Sequence, residues 1–550
     1  MNTERATAGS AWAPFRSRTF AAMWSAQFVS NVGSWMQTVG AQLLMLSLTS
    51  SATLLGLIPT AATLPVLLFS VPAGVAGDLV DRRRLLLVTE AFMLVAAAAL
   101  GVLAIAGVVT PWILLGLILA LGVGQAFTSP TWLTLQPELV APSERQQAIA
   151  LGAVNMNLAR AVGPAIGGLL LAATSAAALF FVNAASFVAV IAVLVAWRGI
   201  AHVRSLPREH IGEATRAGAR YVAASPVLRA VLIRTVLFAL FASPIWALLP
   251  LTASTQLNLG SAGYGLLLGC VGVGALAGAA LLPRLRTGLT GGAAVTMGSL
   301  TLGAVTLIVA LVHVTALVAV ALIVGGGAWI LALSTFNSLY QLSLPGWVKA
   351  RGMGFYSIGF QGGMASGSAA AGLAAQYAGL SPTLTVCGIG LLMGPVAALR
   401  YRFVPIAPDD LQPAGDWPQP HLVDDDGAGG PVMVSVEYWP AAGHENEFLA
   451  ELTDARYSRR RTGAAAWRVW RDAEQPDRFI EQFIVASWEE HLRQHERISK
   501  RDQARLDRIR ALTDPEHLTV VTHWLTPRTA SVNGPPPSSR LPHTANLDGE

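Results

Sequence analysis

Three ionisable side chains, Glu90, Arg160 and Arg234, stand inside long apolar runs of the 550-residue chain. A carboxyl group in such a place is able to exchange a proton between two exposures. Glu90 is therefore the candidate proton carrier, its other reading being a salt bridge with the arginines at 82–84. Arginine does not give up its proton, so Arg160 reads as a ligand for an anionic substrate, a gating counter-ion, or a cation that pins helices together. Arg234 lies near the start of its run and reads first as a cation reaching back to the membrane surface.

A second group is polar and uncharged. Gln27, Asn31, Ser34 and Thr38 are spaced by four, three and four residues, which places them on one face of a helix. In lipid such a face must turn to protein or to a water-filled cavity. Gln125, Thr128, Thr131, Thr335, Asn337, Tyr356 and Gln361 are further polar residues within apolar runs. Trp35, Trp132 and Trp246 offer faces for an aromatic ring. For any one of these the competing role is an interhelical hydrogen bond.

The elements that must position them are membrane spans. The chain is 53% hydrophobic and 13% charged, against about 25% charged in an ordinary soluble protein. The deficit is concentrated before Arg400. Twelve runs long enough to span a bilayer are predicted at 20–46, 52–76, 85–108, 112–136, 148–171, 177–197, 228–250, 262–283, 291–311, 315–340, 353–375 and 383–404. The loops near 47–51, 109–111, 172–176, 251–261, 312–314 and 376–382 have no Lys or Arg. The alternate loops carry Arg82, Arg83, Arg84, Arg145, Arg204, Arg208, Arg284, Lys349 and Arg351 among others. The asymmetry predicts that both termini are cytoplasmic. Cys270 and Cys387 sit in apolar runs and read as packed core residues. No phosphate-cradling Gly-x-x-x-x-Gly-Lys-[Ser/Thr] loop occurs, which argues against transport driven by ATP hydrolysis.

Two motifs give the runs a pattern. Between the second and third runs stands a hairpin in which Gly74, Asp78, Arg82 and Arg83 keep the spacing of the major facilitator signature loop; Leu79 and Asp81 depart from it. The fifth run reads Ala150-x8-Ala159-x3-Gly163-Pro164-x2-Gly167-Gly168, with small residues where the superfamily's antiporter signature has glycines. Runs six and seven are separated by a long loop, which gives a six-plus-six layout; within that loop Glu213 to Val222 reads as a short helix lying along the cytoplasmic face. The membrane part thus resembles the major facilitator superfamily. Pro137-Glu138-Leu139-Val140, Glu144-Arg145-Gln146-Gln147-Ala148 and Pro345-Gly346-Trp347-Val348-Lys349-Ala350-Arg351-Gly352 resemble its enterobactin-exporter-like, transmembrane secretion effector branch.

After residue 411 the composition turns polar. Segment 405–430 reads as a flexible linker and 528–550 as a disordered tail. Between them the predicted order is β-α-β-β-α-β: a strand from Val432, a helix over 445–461, strands over 464–471 and 479–487, a helix over 489–512 and a strand over 518–524. That order is ferredoxin-like and resembles the dimeric α+β barrel family of small monooxygenases. His491 and His495 lie four apart on the second helix; with no third ligand placed by sequence, a solvated helical face is the preferred reading. Residues 431–527 hold 14 Lys/Arg and 16 Asp/Glu, a net of −2, which argues against nucleic-acid binding.

The expected fold class is an all-α polytopic membrane protein with the twelve-helix major facilitator fold, plus a small α+β ferredoxin-like C-terminal domain. Its expected parts are a cytoplasmic N-terminus (1–19), six-helix bundles at 20–197 and 228–404 joined by a cytoplasmic linker (198–227), the flexible linker, the soluble domain (431–527) and the tail. The resemblance implies a secondary transporter exporting a siderophore-like or other amphipathic, aromatic metabolite by alternating access, with a multidrug or macrolide-type pump as the second reading. It implies a cavity lined by Gln27, Asn31, Ser34, Thr38, Gln125, Thr128, Thr131, Trp132, Arg160, Thr335, Asn337, Tyr356 and Gln361. Gating falls to Gly74, Asp78, Arg82, Arg83, Gly163, Pro164, Gly167 and Gly168, and proton coupling to Glu90. No catalytic residue, metal or cofactor is expected. The partners are a small-molecule substrate, membrane lipid and the proton gradient. The C-terminal domain is left open between an enzyme acting on the exported molecule and a dimerising or sensing module.

Overall fold

A computed structural model describes residues 12–79, 81–197, 211–403, 408–412, 414 and 430–526. Before the C-terminal domain it is built of helices: α1 (Arg18–Leu48), α2 (Ala52–Leu79), α3 (Arg82–Ile105), α4 (Pro111–Leu135), α5 (Arg145–Ala173), α6 (Ala176–Ala196), α7 (Ile211–Ala224), α8 (Pro226–Leu251), α9 (Ser261–Gly288), α10 (Gly291–Leu311), α11 (Thr315–Leu342), α12 (Lys349–Ala378), α13 (Leu380–Leu392) and α14 (Gly394–Arg400). The helix starts follow local rules. Asp81 caps α3 by accepting from the Arg84 N–H at 2.9 Å. Thr110 caps α4, whose first residue is Pro111, and Thr290 caps α10.

Among the described residues, ten helices are long and apolar enough to cross a membrane. Helices α1 and α12, the first and eleventh predicted spans, fall outside that set. Their length suffices, but α1 carries Gln27, Asn31, Ser34, Gln37, Thr38 and Gln42, and α12 is dilute in large apolar residues because it is rich in glycine. The last predicted span is interrupted: α13 ends at Leu392 and α14 begins at Gly394, followed by Pro395.

The chain divides into two compact units. The first holds residues up to 211, 227–343 and 349–405. Within it, α2 packs on α4, α3 on α4, and α3 on α6; seven helices later, with α7 intervening, α9 packs on α11, α10 on α11, and α10 on α13. The repetition is the six-plus-six duplication. Small residues make the closest approaches. Gly163 and Gly167 of α5 lie against Val32, Trp35 and Met36 of α1, while Gly359, Gly363 and Gly367 of α12 lie against Leu232, Val236 and Leu240 of α8. Both are the close, small-residue contacts by which helices associate in lipid.

The two sets of six meet along α2–α12 and α5–α9. Ala52 N–H donates to Gln376 Oε1 at 2.9 Å, Thr60 Oγ1 to the Ala365 carbonyl at 2.8 Å and Gln42 Nε2 to the Trp246 carbonyl at 3.2 Å. The Tyr264 hydroxyl also donates to Gln42. Gly56 meets Gly372, and Gly168 meets Gly265, backbone against backbone. Ala52, Gln42, Gly168, Gly265 and Gly372 lie toward the helix ends away from the arginine-bearing loops.

The second unit gathers residues 212–226, 344–348 and 406–550. Its sheet comprises β1 (Val432–Tyr438), β2 (Ala466–Arg471), β3 (Phe479–Val485) and β4 (Val520–Leu525), in the antiparallel order β2-β3-β1-β4. Helix α15 (Glu445–Thr462) and the pair α16 (Trp488–Glu496) and α17 (Lys500–Ala511) cover one face. This is the expected ferredoxin-like order, with one correction. The predicted helix over 489–512 is two helices, because Ser499 and Asp502 form a capping box that starts α17 afresh. The short helix expected over 213–222 of the linker is α7, and it packs in this unit, where the Tyr221 ring meets Trp347 edge-on at 5.6 Å.

Candidate functional site

The polar face of α1 is real and selective in what it does. Gln27 Nε2 donates to Asn31 Oδ1 at 3.1 Å, Asn31 Nδ2 to Asn155 Oδ1 at 2.9 Å, and Asn155 Nδ2 to the Trp24 carbonyl at 2.9 Å. These bonds tie α1 to α5. Further along, Asn31, Ser34, Trp35 and Thr38 are half-buried. Beside them the guanidinium of Arg160, also half-buried, lies 5.5 Å from the centre of the Trp35 ring. The Arg160 Nε has no hydrogen-bond acceptor. A cation held over an indole, with a donor still unused, is suited to a carboxylate or another anion carrying an aromatic group.

Glu90 on α3 is 1% exposed, and its Oε2 has no hydrogen-bond partner. The arginines of the preceding hairpin are engaged elsewhere: Arg82 pairs with Glu138, and Arg83 donates to the carbonyls of Leu194 and Val195 at 2.7 and 2.9 Å. Arg82 and Arg83 thus bind α3 to the turn that follows α4 and to the end of α6. The side chain of Asp78 and the surroundings of Gly74 lie outside the described residues.

Several expected cavity residues point elsewhere. Thr128 is buried and donates to Thr89 Oγ1 on α3 at 2.8 Å, so it joins two helices. Thr131 and Thr335 donate to the carbonyls of Phe127 and Leu331 in their own helices. Trp132 is buried in a cluster with Met23 and Leu86. Gln125 is half-buried and donates to Ser129 at 2.7 Å. Asn337 is exposed, while Gln361 is half-buried. Tyr356 is buried beside Tyr340, with ring centres 5.2 Å apart. Gly163, Pro164, Gly167 and Gly168 are all buried on α5; the first and third receive α1, and the last receives α9.

Sequence reasoning missed residues on both sides. Gln37 accepts from Asn183 Nδ2 at 2.6 Å, an amide pair linking α1 to α6. In the second set of helices, Phe238, Trp329, Phe336 and Phe360, not singled out in the sequence, join Trp246, which was, in a chain of aromatic contacts with ring centres 5.3–6.3 Å apart. The indole N–H groups of Trp246 and Trp329 and the hydroxyls of Tyr340 and Tyr356 have no acceptor. Four buried donors without acceptors are unusual, and each asks for a partner.

The soluble domain has its own buried polar centre. Glu481, fully buried, accepts from Arg459 at 3.1 Å, from the Trp467 indole at 2.8 Å and from the Tyr438 hydroxyl at 3.1 Å. His491 is buried, not on a solvated face as expected: its Nε2 is 2.9 Å from His523 Nε2 on β4, and its ring packs on His495 and Trp488. Burial, with His495 and His523 close by, pushes the His491 pKa down to about 3. Among the described residues no three His, Cys, Asp or Glu side chains are grouped to hold a metal.

Duplicated six-helix sets, a buried carboxyl, a cation in the membrane interior and unused donors define a secondary transporter of the major facilitator class. The sequence profile described as transmembrane secretion effector matches residues 9–531, and the chain belongs to that family. Among curated proteins it is similar to the staphyloferrin A transporter of Staphylococcus aureus (29% identity over 29% of this chain) and the multidrug efflux pump Tap of Mycolicibacterium fortuitum (26% over 68% of this chain and 94% of that one). It covers 41% of the staphyloferrin A transporter's length. Among solved structures it shares the fold of an inward-facing bacterial Spinster homologue (TM-score 0.57, 13% identity, 72% of this chain and all of that one) and of a POT family transporter (TM-score 0.59, 11% identity, 70% of this chain and 96% of that one).

Proposed function

We propose that this transporter exports a small amphipathic metabolite with an aromatic ring and an anionic group, a siderophore being the type case, across the bacterial inner membrane by proton-coupled alternating access. The observation that carries the reading is Arg160 over Trp35, half-buried beside Asn31, Ser34 and Thr38. The arginine takes the anion, Trp35 and the aromatic chain on α8 and α11 take the ring, and the unused Trp and Tyr donors take substrate oxygens. With the arginine-bearing loops and both termini in the cytoplasm, the contacts of Gly168 with Gly265 and Gly56 with Gly372 close the outer end, which is the cytoplasm-facing state of the cycle. Glu90 is the proton carrier and the hairpin 74–84 the cytoplasmic latch.

Similarity to the staphyloferrin A transporter supports the siderophore reading, and similarity to Tap supports a multidrug pump as the second. Efflux assays in a strain lacking its own exporters separate them. A metabolite exporter clears catecholate or carboxylate siderophores and leaves cationic dyes inside; the reverse pattern assigns a multidrug pump.

For the soluble domain we propose self-association through the uncovered sheet face. The strand register puts Met433, Trp470, Ile480, Ile484 and Trp524 on that side, and Trp470, Ile484 and Trp524 are exposed. A second copy of the same face would bury them. Oxygen uptake with quinol-like compounds tests the enzyme reading, and light scattering of the full chain against Trp524→Glu tests the dimer.

A further inference from the structure

A cavity of about 350 Å³ lies between α8, α10, α11 and the broken α13–α14 segment, at the arginine-bearing end of the second helix set. Arg234 and Arg400 contribute its charges, and Phe241, Phe336, Met393 and Val396 contribute apolar wall. We propose that this cavity binds an anionic phospholipid of the cytoplasmic leaflet, with the phosphate held by Arg234 and Arg400 and the start of an acyl chain lying against Phe241, Met393 and Val396.

The cation is the first reason. Arg234 is 5% exposed, so it has not reached the membrane surface as its sequence position suggested. Its guanidinium sits 4.0 Å from the centre of the Phe403 ring, and among the described residues no carboxylate pairs with it. A buried cation against apolar walls calls for an anion, and the described residues supply none there.

The mouth is the second reason. Met393 and Val396 are 53% and 52% exposed, large apolar side chains on a membrane helix, so the opening faces lipid. The break between α13 and α14 forms that side of the cavity. Just before it, Gly390 lets the segment pass the Phe241 ring, against which any Cβ would collide. The volume is that of a small-ligand pocket. Basic pockets between helices at the cytoplasmic side are suited to anionic lipid headgroups, because the phosphate and the arginines lie at one depth while the chain stays in hydrocarbon. This site is separate from the Arg160 face, so its failure leaves the export reading standing.

The test is native mass spectrometry of the full chain, reconstituted with phosphatidylglycerol or phosphatidylcholine and then stripped stepwise with detergent. Phosphatidylglycerol is expected to stay bound at detergent levels that remove phosphatidylcholine. Arg400→Gln should lower its retention about fivefold, the effect of one arginine near an anionic surface. Ala397→Trp, which fills the cavity without touching its charge, should lower it comparably, and Arg234→Gln should abolish it. Melting temperatures report whether each variant folds, and Arg400→Gln and Ala397→Trp decide the matter if Arg234→Gln does not. Equal retention of the two lipids, unchanged retention in both deciding variants, or displacement by millimolar inorganic phosphate would overturn the proposal.

Discussion

Gly168 on α5 and Gly265 on α9 touch backbone to backbone, and neither position has room for a Cβ. Here the two six-helix sets approach closely at the end away from the arginine-rich loops. One of the pair belongs to the Gly-Pro-x2-Gly-Gly motif, which thereby acquires a physical role: it lets the two halves meet there without side chains between them.

Gly168→Val should therefore hold the halves apart at that end. The chain is expected to insert at normal levels, since each set of six packs by its own contacts, while efflux falls to that of cells without the protein. A Ser34→Cys reporter should become more reactive to an impermeant maleimide added from outside. Normal efflux in the valine variant would remove the gating role.

Arg160 is predicted to act by charge and by shape. Arg160→Lys keeps the charge and loses the planar stack on Trp35; it should weaken substrate binding by roughly tenfold, the scale of a desolvated cation–π contact. Arg160→Gln should abolish binding. Isothermal titration with a candidate anionic metabolite checks both, and equal affinity for the two variants would contradict a substrate role.

Glu490 is 11% exposed at its side chain and accepts from both Arg220 on α7, at 3.0 Å, and Arg497, at 2.7 Å. Arg497 in turn lies 4.5 Å from the Trp347 ring centre. Removing the carboxylate leaves Arg497 buried with a neighbouring cation. Glu490→Gln is expected to raise hydrogen exchange of 215–224 by roughly tenfold or more. Unchanged exchange would show that α7 is held by apolar contacts such as Tyr221 on Trp347.

His491 sets a pH dependence for the soluble domain. Its folded pKa is near 3, below the ordinary value of 6.5. From pH 6.5 downward the unfolded chain takes up a proton that the folded one refuses, so stability is complete above 6.5 and is lost progressively toward 3. Hydrogen exchange of 432–438 in the full chain, corrected for intrinsic rates, should show protection falling over that window. His491→Phe should flatten the curve, and an equally steep fall in that variant would assign the dependence to other groups.

What could be read from the sequence was what has a period or a local motif. The α1 stripe, the glycines of α5 and the order of the soluble domain are of that kind, and so was the Ser499–Asp502 capping box, overlooked although it was there to be read. Pairings were not legible. Asn183 finds Gln37 and Thr128 finds Thr89 only after the helices pack, and Thr128 reads as a cavity residue until Thr89 is placed against it. The same limit applies to α7, legible as a helix over 213–222 but with an amphipathic pattern that fits a membrane surface or a protein partner equally well; its place beside Trp347 depends on contacts far along the chain.

The central claim is export driven by a proton held on Glu90, the buried carboxyl with an unpartnered oxygen. The direct measurement is transport in proteoliposomes under an imposed pH gradient, comparing the wild type with Glu90→Gln. The account predicts uphill movement of an anionic aromatic metabolite in the wild type. The glutamine variant should keep downhill exchange and lose the uphill component. If Glu90→Gln still concentrates the metabolite against its gradient, the proton is carried elsewhere and the account is wrong at its centre.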